Sequence, residues 1–193
     1  MLQSSISWTA ILRSLIVFWS TAFFGAITVA VRKHFKSEAI PLGMWLISVV
    51  SIFNIVCFET FLWAKPPSAE TMIGALPFYA ASGALFGWAV SATRPGMLRL
   101  AFDDVEPTEF TRSGPYRYIR HPFYSAYILF WLGCAVVSQK LACVFFFAAL
   151  TTLYVLAAFK EEAAFQCSPH SDAYKSYKEI AGLFWPKRAG LRR

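Results

Sequence analysis

Charge is what this 193-residue sequence has least of. Asp, Glu, Lys and Arg together make up 15%, against about 25% in an ordinary soluble domain. Hydrophobic residues fill the space at 57%, and the mean hydropathy is +0.49. That balance excludes an ordinary soluble surface and points to a polytopic membrane protein. Cysteine is also scarce: Cys57, Cys134, Cys143 and Cys167 include no CxxC pair and have no zinc-type spacing. Three of them lie in apolar runs and read as small buried hydrophobes. His34 and His170 have no metal-like partners at useful spacing, so no metal is expected. The N-terminus lacks a basic segment followed by a short apolar core and a small-residue cleavage site, so its apolar run is read as a retained helix. There is no internal repeat and no low-complexity segment.

Five apolar stretches remain, at about 9–31, 42–64, 72–92, 122–138 and 141–159, each near the ~20 residues that cross a bilayer. Only Ser138-Gln139-Lys140 joins the last two, which forces an antiparallel helical hairpin. Basic residues alternate between the connections. Arg32, Lys33 and Lys36 follow the first stretch, and only Lys65 follows the second. Arg94, Arg99, Arg112, Arg117 and Arg120 lie between the third and fourth, and only Lys140 between the last two. The tail holds Lys160, Lys175, Lys178, Lys187, Arg188, Arg192 and Arg193. The positive-inside rule then places the N-terminus outside and every basic-rich segment in the cytoplasm. The formal net charge of +7 is thereby explained by topology, with no nucleic-acid partner. The expected fold is an all-α integral membrane protein of about five transmembrane helices, with a C-terminal helical hairpin and a small cytoplasmic region. Residues 1–93 form an N-terminal helical part, and 94–193 carry the loop, the hairpin and the tail.

Polar chemistry is concentrated in two places. Residues 114–124, Gly-Pro-Tyr-Arg-Tyr-Ile-Arg-His-Pro-Phe-Tyr, precede and open the fourth stretch. Pro122 suits the first position of a helix and pushes His121 away from helical geometry. Free N–H groups of a first turn attract anions, and Arg120 adds a planar donor fork. The alternative for Arg120 and for Tyr116, Tyr118 and Tyr124 is anchoring at the membrane surface. The second cluster is Lys160-Glu161-Glu162. If the fifth helix continues through it, Glu161 shares a face with Tyr154, Ala157 and Ala158, and the alanines leave room against that face. The hairpin brings the clusters together: Arg120 and His121 are expected beside Glu161 and Glu162, in a pocket suited to a zwitterion with a positive centre. Tyr174 and Tyr177 share a face if helical, and Phe184-Trp185-Pro186 is placed to return to the interface. Arg13 and Glu59 are read as structural charges near helix ends, and Asp103-Asp104 as solvated loop.

Gly114-x-Tyr116-x-x-x-Arg120-His121-Pro122-x-Tyr124, a hairpin, Glu161-Glu162 and then Tyr174-x-x-Tyr177 resemble the isoprenylcysteine carboxyl methyltransferase family, within a broader group that includes the phospholipid methyltransferases. The resemblance covers roughly 94–187. It implies an integral-membrane methyltransferase that uses S-adenosylmethionine. The positions matching cofactor contacts are Thr108, Glu109, Phe110, Thr111, Tyr116, His121, Pro122, Phe123, Tyr124 and Glu161. Arg120 and Glu161 are the implied catalytic pair, with Arg120 orienting a substrate or cofactor carboxylate. The implied acceptor is lipid-like or prenylated and reaches the site from the lipid bilayer. This chain departs from the pattern at Ala157, where members acting on prenylated proteins can carry Arg. It departs again at Ser168-Pro169-His170, where a Gly usually precedes the first tail tyrosine. The competing readings are a membrane reductase using a nicotinamide cofactor and a non-enzymatic scaffold or transport subunit.

Overall fold

Long apolar runs become helices because a bilayer offers the backbone amides no partner other than themselves. The computed structural model describes residues 7–36, 39–93, 98–103 and 111–187. Four helices are long and apolar enough to cross a membrane: α1 Trp8–His34, α2 Leu42–Ala64, α3 Ala69–Ser91 and α5 Leu141–Gln166. Between the last two lies α4 Pro122–Ser138, with 17 residues. At 1.5 Å per residue α4 reaches about 25 Å, a little short of the ~30 Å hydrocarbon core. A short α6, Ser171–Ile180, follows. The all-α membrane architecture is as expected. The one sheet among the described residues is a parallel pairing of β1 Phe35–Lys36 with β2 Leu98–Arg99.

Local chemistry sets the helix ends. α2 starts after Pro41 and stops at Lys65, ahead of Pro66-Pro67. The Ser68 hydroxyl caps α3 by accepting from the Thr71 amide at 3.3 Å. The hairpin reverses through Gln139, in the left-handed region at φ 50°, and Lys140. The fifth apolar stretch ends near 159, but α5 continues to Gln166. Lys160, Glu161 and Glu162 therefore lie within the helix, not beyond its end.

α4 is the centre of the bundle and is buried along almost its whole length. Ser82 of α3 donates to the Ala126 carbonyl at 2.8 Å. Gly133 lets the Tyr79 ring lie flush, since a Cβ there would stand 3.0 Å from it. Phe23 of α1 contacts Phe130 at 4.8 Å and Phe86 at 5.2 Å between ring centroids. Between α1 and α2, Glu59 accepts from Thr21 at 2.8 Å and Ser20 at 3.3 Å. Arg13 lies 4.5 Å over the Trp63 ring. Both intramembrane charges thus have structural surroundings. Phe18, Phe53, Val56, Phe145 and Leu156 are exposed on the outside, where lipid would meet them.

α2 and α5 run antiparallel. Phe102 lies against Gly43 at the start of α2, and its carbonyl accepts from Lys160 Nζ near the end of α5 at 3.0 Å. The same end of the bundle carries the start of α4 and all of α6.

Candidate active site

The segment before α4 is shaped by a glycine. Gly114 sits at φ +54°, and a Cβ there would meet that of Ala92 at 2.7 Å. Residues Gly114–Arg117 form a 3-10 turn that buries Pro115 and Tyr116. Pro122 then occupies the first turn of α4, and His121 before it takes a non-helical φ −123°, ψ 64°, as steric conflict with the proline ring requires.

The hairpin brings the two polar clusters into contact. Arg120 Nε donates to Glu162 Oε1 at 2.6 Å, with both side chains over nine-tenths buried. Lys178 Nζ of α6 pairs with Glu162 Oε2 at 2.8 Å. His121 Nε2 stands 3.6 Å from Glu162 Oε1 and His121 Nδ1 is 3.4 Å from Glu161 Oε2. The Tyr124 hydroxyl donates to Glu161 Oε1. The two glutamates therefore differ. Glu162 is enclosed and neutralised by two cations, whereas Glu161 keeps 28% of its side chain exposed and faces no Lys or Arg among these contacts.

Aromatic rings continue inward from Glu161. His121 stacks on Tyr124 at 5.6 Å, and Tyr124 stacks on Tyr154 at 5.5 Å. Trp131 Nε1 donates to the Tyr154 hydroxyl at 3.2 Å. Burial works against a charged His121, but its contacts with Glu161 and Glu162 outweigh this and raise its pKa above the usual histidine value. The two carboxylates thus favour the protonated ring, although at 3.6 Å from Glu162 its Nε2 has no hydrogen-bond partner among the described residues.

The arrangement of the tail could not be read from spacing. After α6 the chain returns beside residues 118–121. Gly182 N donates to the Tyr118 carbonyl at 2.9 Å, Arg120 N to the Gly182 carbonyl at 2.8 Å, and His121 N to the Leu183 carbonyl at 3.2 Å. Ser125 Oγ donates to the Phe184 carbonyl at 2.8 Å, and Arg120 Nη1 donates to the Ala181 carbonyl. Gly182 permits the turn: a Cβ there would fall 1.7 Å from the Trp185 carbonyl oxygen. The visible signal was Gly182 just ahead of Phe184-Trp185-Pro186. Phe184 does come inward while Trp185 stays 61% exposed. Tyr174 and Tyr177 share a buried face as expected, with Tyr174 stacked on Phe165 at 4.5 Å. The Tyr177 hydroxyl donates to the Tyr116 carbonyl at 2.6 Å.

The implied site residues are only partly brought together. His121, Tyr124 and Glu161 converge. Arg120 is taken up by Glu162 and Ala181 in a buried ion pair at the edge of that group. Phe123 turns away, toward Phe35 at 5.5 Å and Phe86 at 5.7 Å, and Pro122 is fully buried. Tyr116 is buried, its carbonyl held by Tyr177 of α6 and its hydroxyl within electrostatic range of Glu161. Thr111 lies at the entry to the 3-10 turn, where its hydroxyl is 2.9 Å from that of Ser113. Thr108, Glu109 and Phe110 lie outside the described residues. The alanine face of α5 is filled: Ala157 and Ala158 are both fully covered, so the room expected there is taken by packed neighbours.

Most of these contacts lie within a segment that is similar to a known family. Residues 84–167 match the phospholipid methyltransferase family. The matched segment covers the end of α3, the connection, α4 and α5, so it includes Arg120, His121, Tyr124, Glu161 and Glu162. It stops short of Lys178 and the returning tail. A methanethiol S-methyltransferase from Crocosphaera subtropica is 24% identical over 182 residues, spanning 82% of this chain and 69% of that protein. The motif resemblance therefore stands, and both findings support a membrane methyltransferase.

Proposed function

We propose that this protein is an S-adenosylmethionine-dependent membrane methyltransferase whose active site is the Glu161–Tyr124–His121 group. The carrying observation is the contrast between the two acids. Glu162 has its cations, while the partly exposed Glu161 has hydrogen-bond donors and open acceptor capacity. A carboxylate beside stacked tyrosine rings fits a compact organic cation. When bound, S-adenosylmethionine supplies an electrophilic methyl group on a sulfonium centre. Glu161 would attract that cation, and Tyr124 and His121 would orient the carboxylate. Arg120 and Glu162 fix the tail against the start of α4, which holds His121 in place. Alignment of the acceptor with the methyl group is the main catalytic task.

A carboxylate acceptor would need no base, whereas a thiol would have to lose its proton, with Glu161 and His121 the nearest groups to assist. A lipid-like or prenylated acceptor entering from the bilayer is the first reading. A compact thiol is the second, because the Crocosphaera relative is named for methanethiol. In addition, the rings of Tyr124, Tyr127 and Tyr154 occupy the α4–α5 seam where a long chain would otherwise lie. The basic-residue alternation supports a cytoplasmic site and an outside N-terminus. Calorimetric titration of S-adenosylmethionine into the purified protein in detergent tests the reading. Saturable binding is expected, and its absence in folded protein overturns it.

A further inference from the structure

Inward from Glu161 the seam between α4 and α5 is closed by aromatic rings. Tyr124, whose hydroxyl donates to Glu161, stacks on Tyr154 with centroids 5.5 Å apart and planes at 16°. Tyr127 lies against both, 6.4 Å from Tyr124 and 5.7 Å from Tyr154. All three side chains are buried, and Ala157 and Ala158, between Tyr154 and Glu161 on α5, are fully covered. Carbon atoms pack about 3.5–4 Å apart, so an alkyl chain lying between two ring faces needs them about 7 Å apart or more. None of these pairs is that open.

Tyr154 is also held from behind. Its hydroxyl accepts from Trp131 Nε1 at 3.2 Å, and Ser51 of α2 lies within hydrogen-bonding range of it. Trp131 is itself wedged, 4.8 Å from Phe130 and 6.3 Å from Phe24 between ring centroids. Swinging Tyr154 aside would strand the buried Trp131 donor, which is costly where no water can replace the bond. The rings therefore form a fixed wall within about two helical turns of Glu161.

We infer that Tyr154, backed by Trp131, is a specificity-determining residue of the site: it limits the acceptor to a compact thiol that binds on the Glu161 side of the rings. This rests on the methyltransferase reading and chooses among its acceptors. The wall excludes a long tail from the seam. A compact carboxylate would stand beside the Glu161 carboxylate and be repelled, and among compact uncharged heads a thiol ionises readily. On the Glu161 side the transfer balances. The acceptor sulfur forms its new bond to the methyl carbon as the donor sulfur releases that carbon and keeps the electron pair, so a sulfonium becomes a neutral thioether. The thiol proton passes to Glu161, which loses the neighbouring cation in the same step and is 28% exposed, open to water.

The test is methyl transfer from S-adenosylmethionine to ethanethiol and to octanethiol by the full chain in one detergent, with the methyl sulfides quantified by gas chromatography. Wild type should favour ethanethiol by roughly tenfold or more. Tyr154→Ala should narrow that ratio by roughly fivefold or more, whereas Tyr154→Phe, which keeps the ring, should leave it as in wild type. Tyr127→Leu is the second opening variant, since it removes a ring whose buried hydroxyl has no partner among the described residues, and it should narrow the ratio too. Equal use of both thiols by wild type overturns the inference. So does an unchanged ratio in the opening variants that still bind S-adenosylmethionine. Titration of S-adenosylmethionine into the same samples separates the two claims. Binding without methylation of either thiol sinks only the acceptor inference, whereas no binding to folded wild type sinks the methyltransferase reading.

Discussion

Neighbouring acids with different surroundings should respond differently to the same substitution. Glu161→Gln removes a partly exposed carboxylate from the proposed cation site. Two unit charges about 4 Å apart attract by about 4 kcal/mol at an effective dielectric near 20. Water contact at a side chain that is 28% exposed reduces this to about 2 kcal/mol, or roughly thirtyfold in Kd for S-adenosylmethionine. Fold stability should change little, because Tyr124 can still donate to the amide oxygen. Glu162→Gln is the opposite case. It leaves Arg120 buried without its counter-charge, a change of about 3 kcal/mol or more in stability. Lys178 is 32% exposed and can turn to water, which keeps the loss at the lower end of the range. Calorimetry and denaturant unfolding in one detergent read both quantities. The reasoning fails if Glu161→Gln binds the cofactor as tightly as wild type, or if Glu162→Gln weakens binding without lowering stability.

Three further outcomes follow from other parts of the molecule. Gly182→Ala must displace the returning tail, because the new Cβ meets the Trp185 carbonyl; a stability loss of about 2 kcal/mol and lower turnover are expected, and a wild-type unfolding curve would contradict the turn. His121 has a raised pKa in the fold, so its ionic contribution is complete below its unfolded value of about 6.5 and is lost as pH rises through the folded value. The stability gap between wild type and His121→Gln should therefore be full below about pH 6.5 and shrink as the pH is raised above it, and a gap that widens with rising pH would refute the assignment. For topology, Lys140→Cys and Lys175→Cys in a Cys167→Ser background should react oppositely with an impermeant maleimide on intact cells. Lys140→Cys is expected to label at once and Lys175→Cys only after permeabilisation, and the reverse pattern would invert the proposed orientation.

The helices were legible because a bilayer converts composition directly into structure: apolar runs of sufficient length have no alternative to helix formation. Pro122 marked the start of α4, where its missing amide costs nothing and acts only on adjacent residues. The meeting of Arg120 and His121 with Glu161 and Glu162 was also accessible, since a short link leaves a hairpin little freedom. The end of α5 was not. Lys160 to Glu162 broke the apolar run, yet the helix continues because Arg120, Lys178 and the Phe102 carbonyl meet those charges from other elements.

Sequence alone thus determined the helices, their order, the hairpin and the family pattern, all of which depend on local spacing or on the surrounding lipid. Tertiary structure decided the roles within the pattern. It enclosed Glu162 and left Glu161 open, tied Arg120 to the tail, and turned Phe123 toward the N-terminal helices. It also covered the alanine face of α5. Adjacent residues on a helix point about 100° apart, so two identical acids side by side meet different neighbours, and only the packing of distant segments says which.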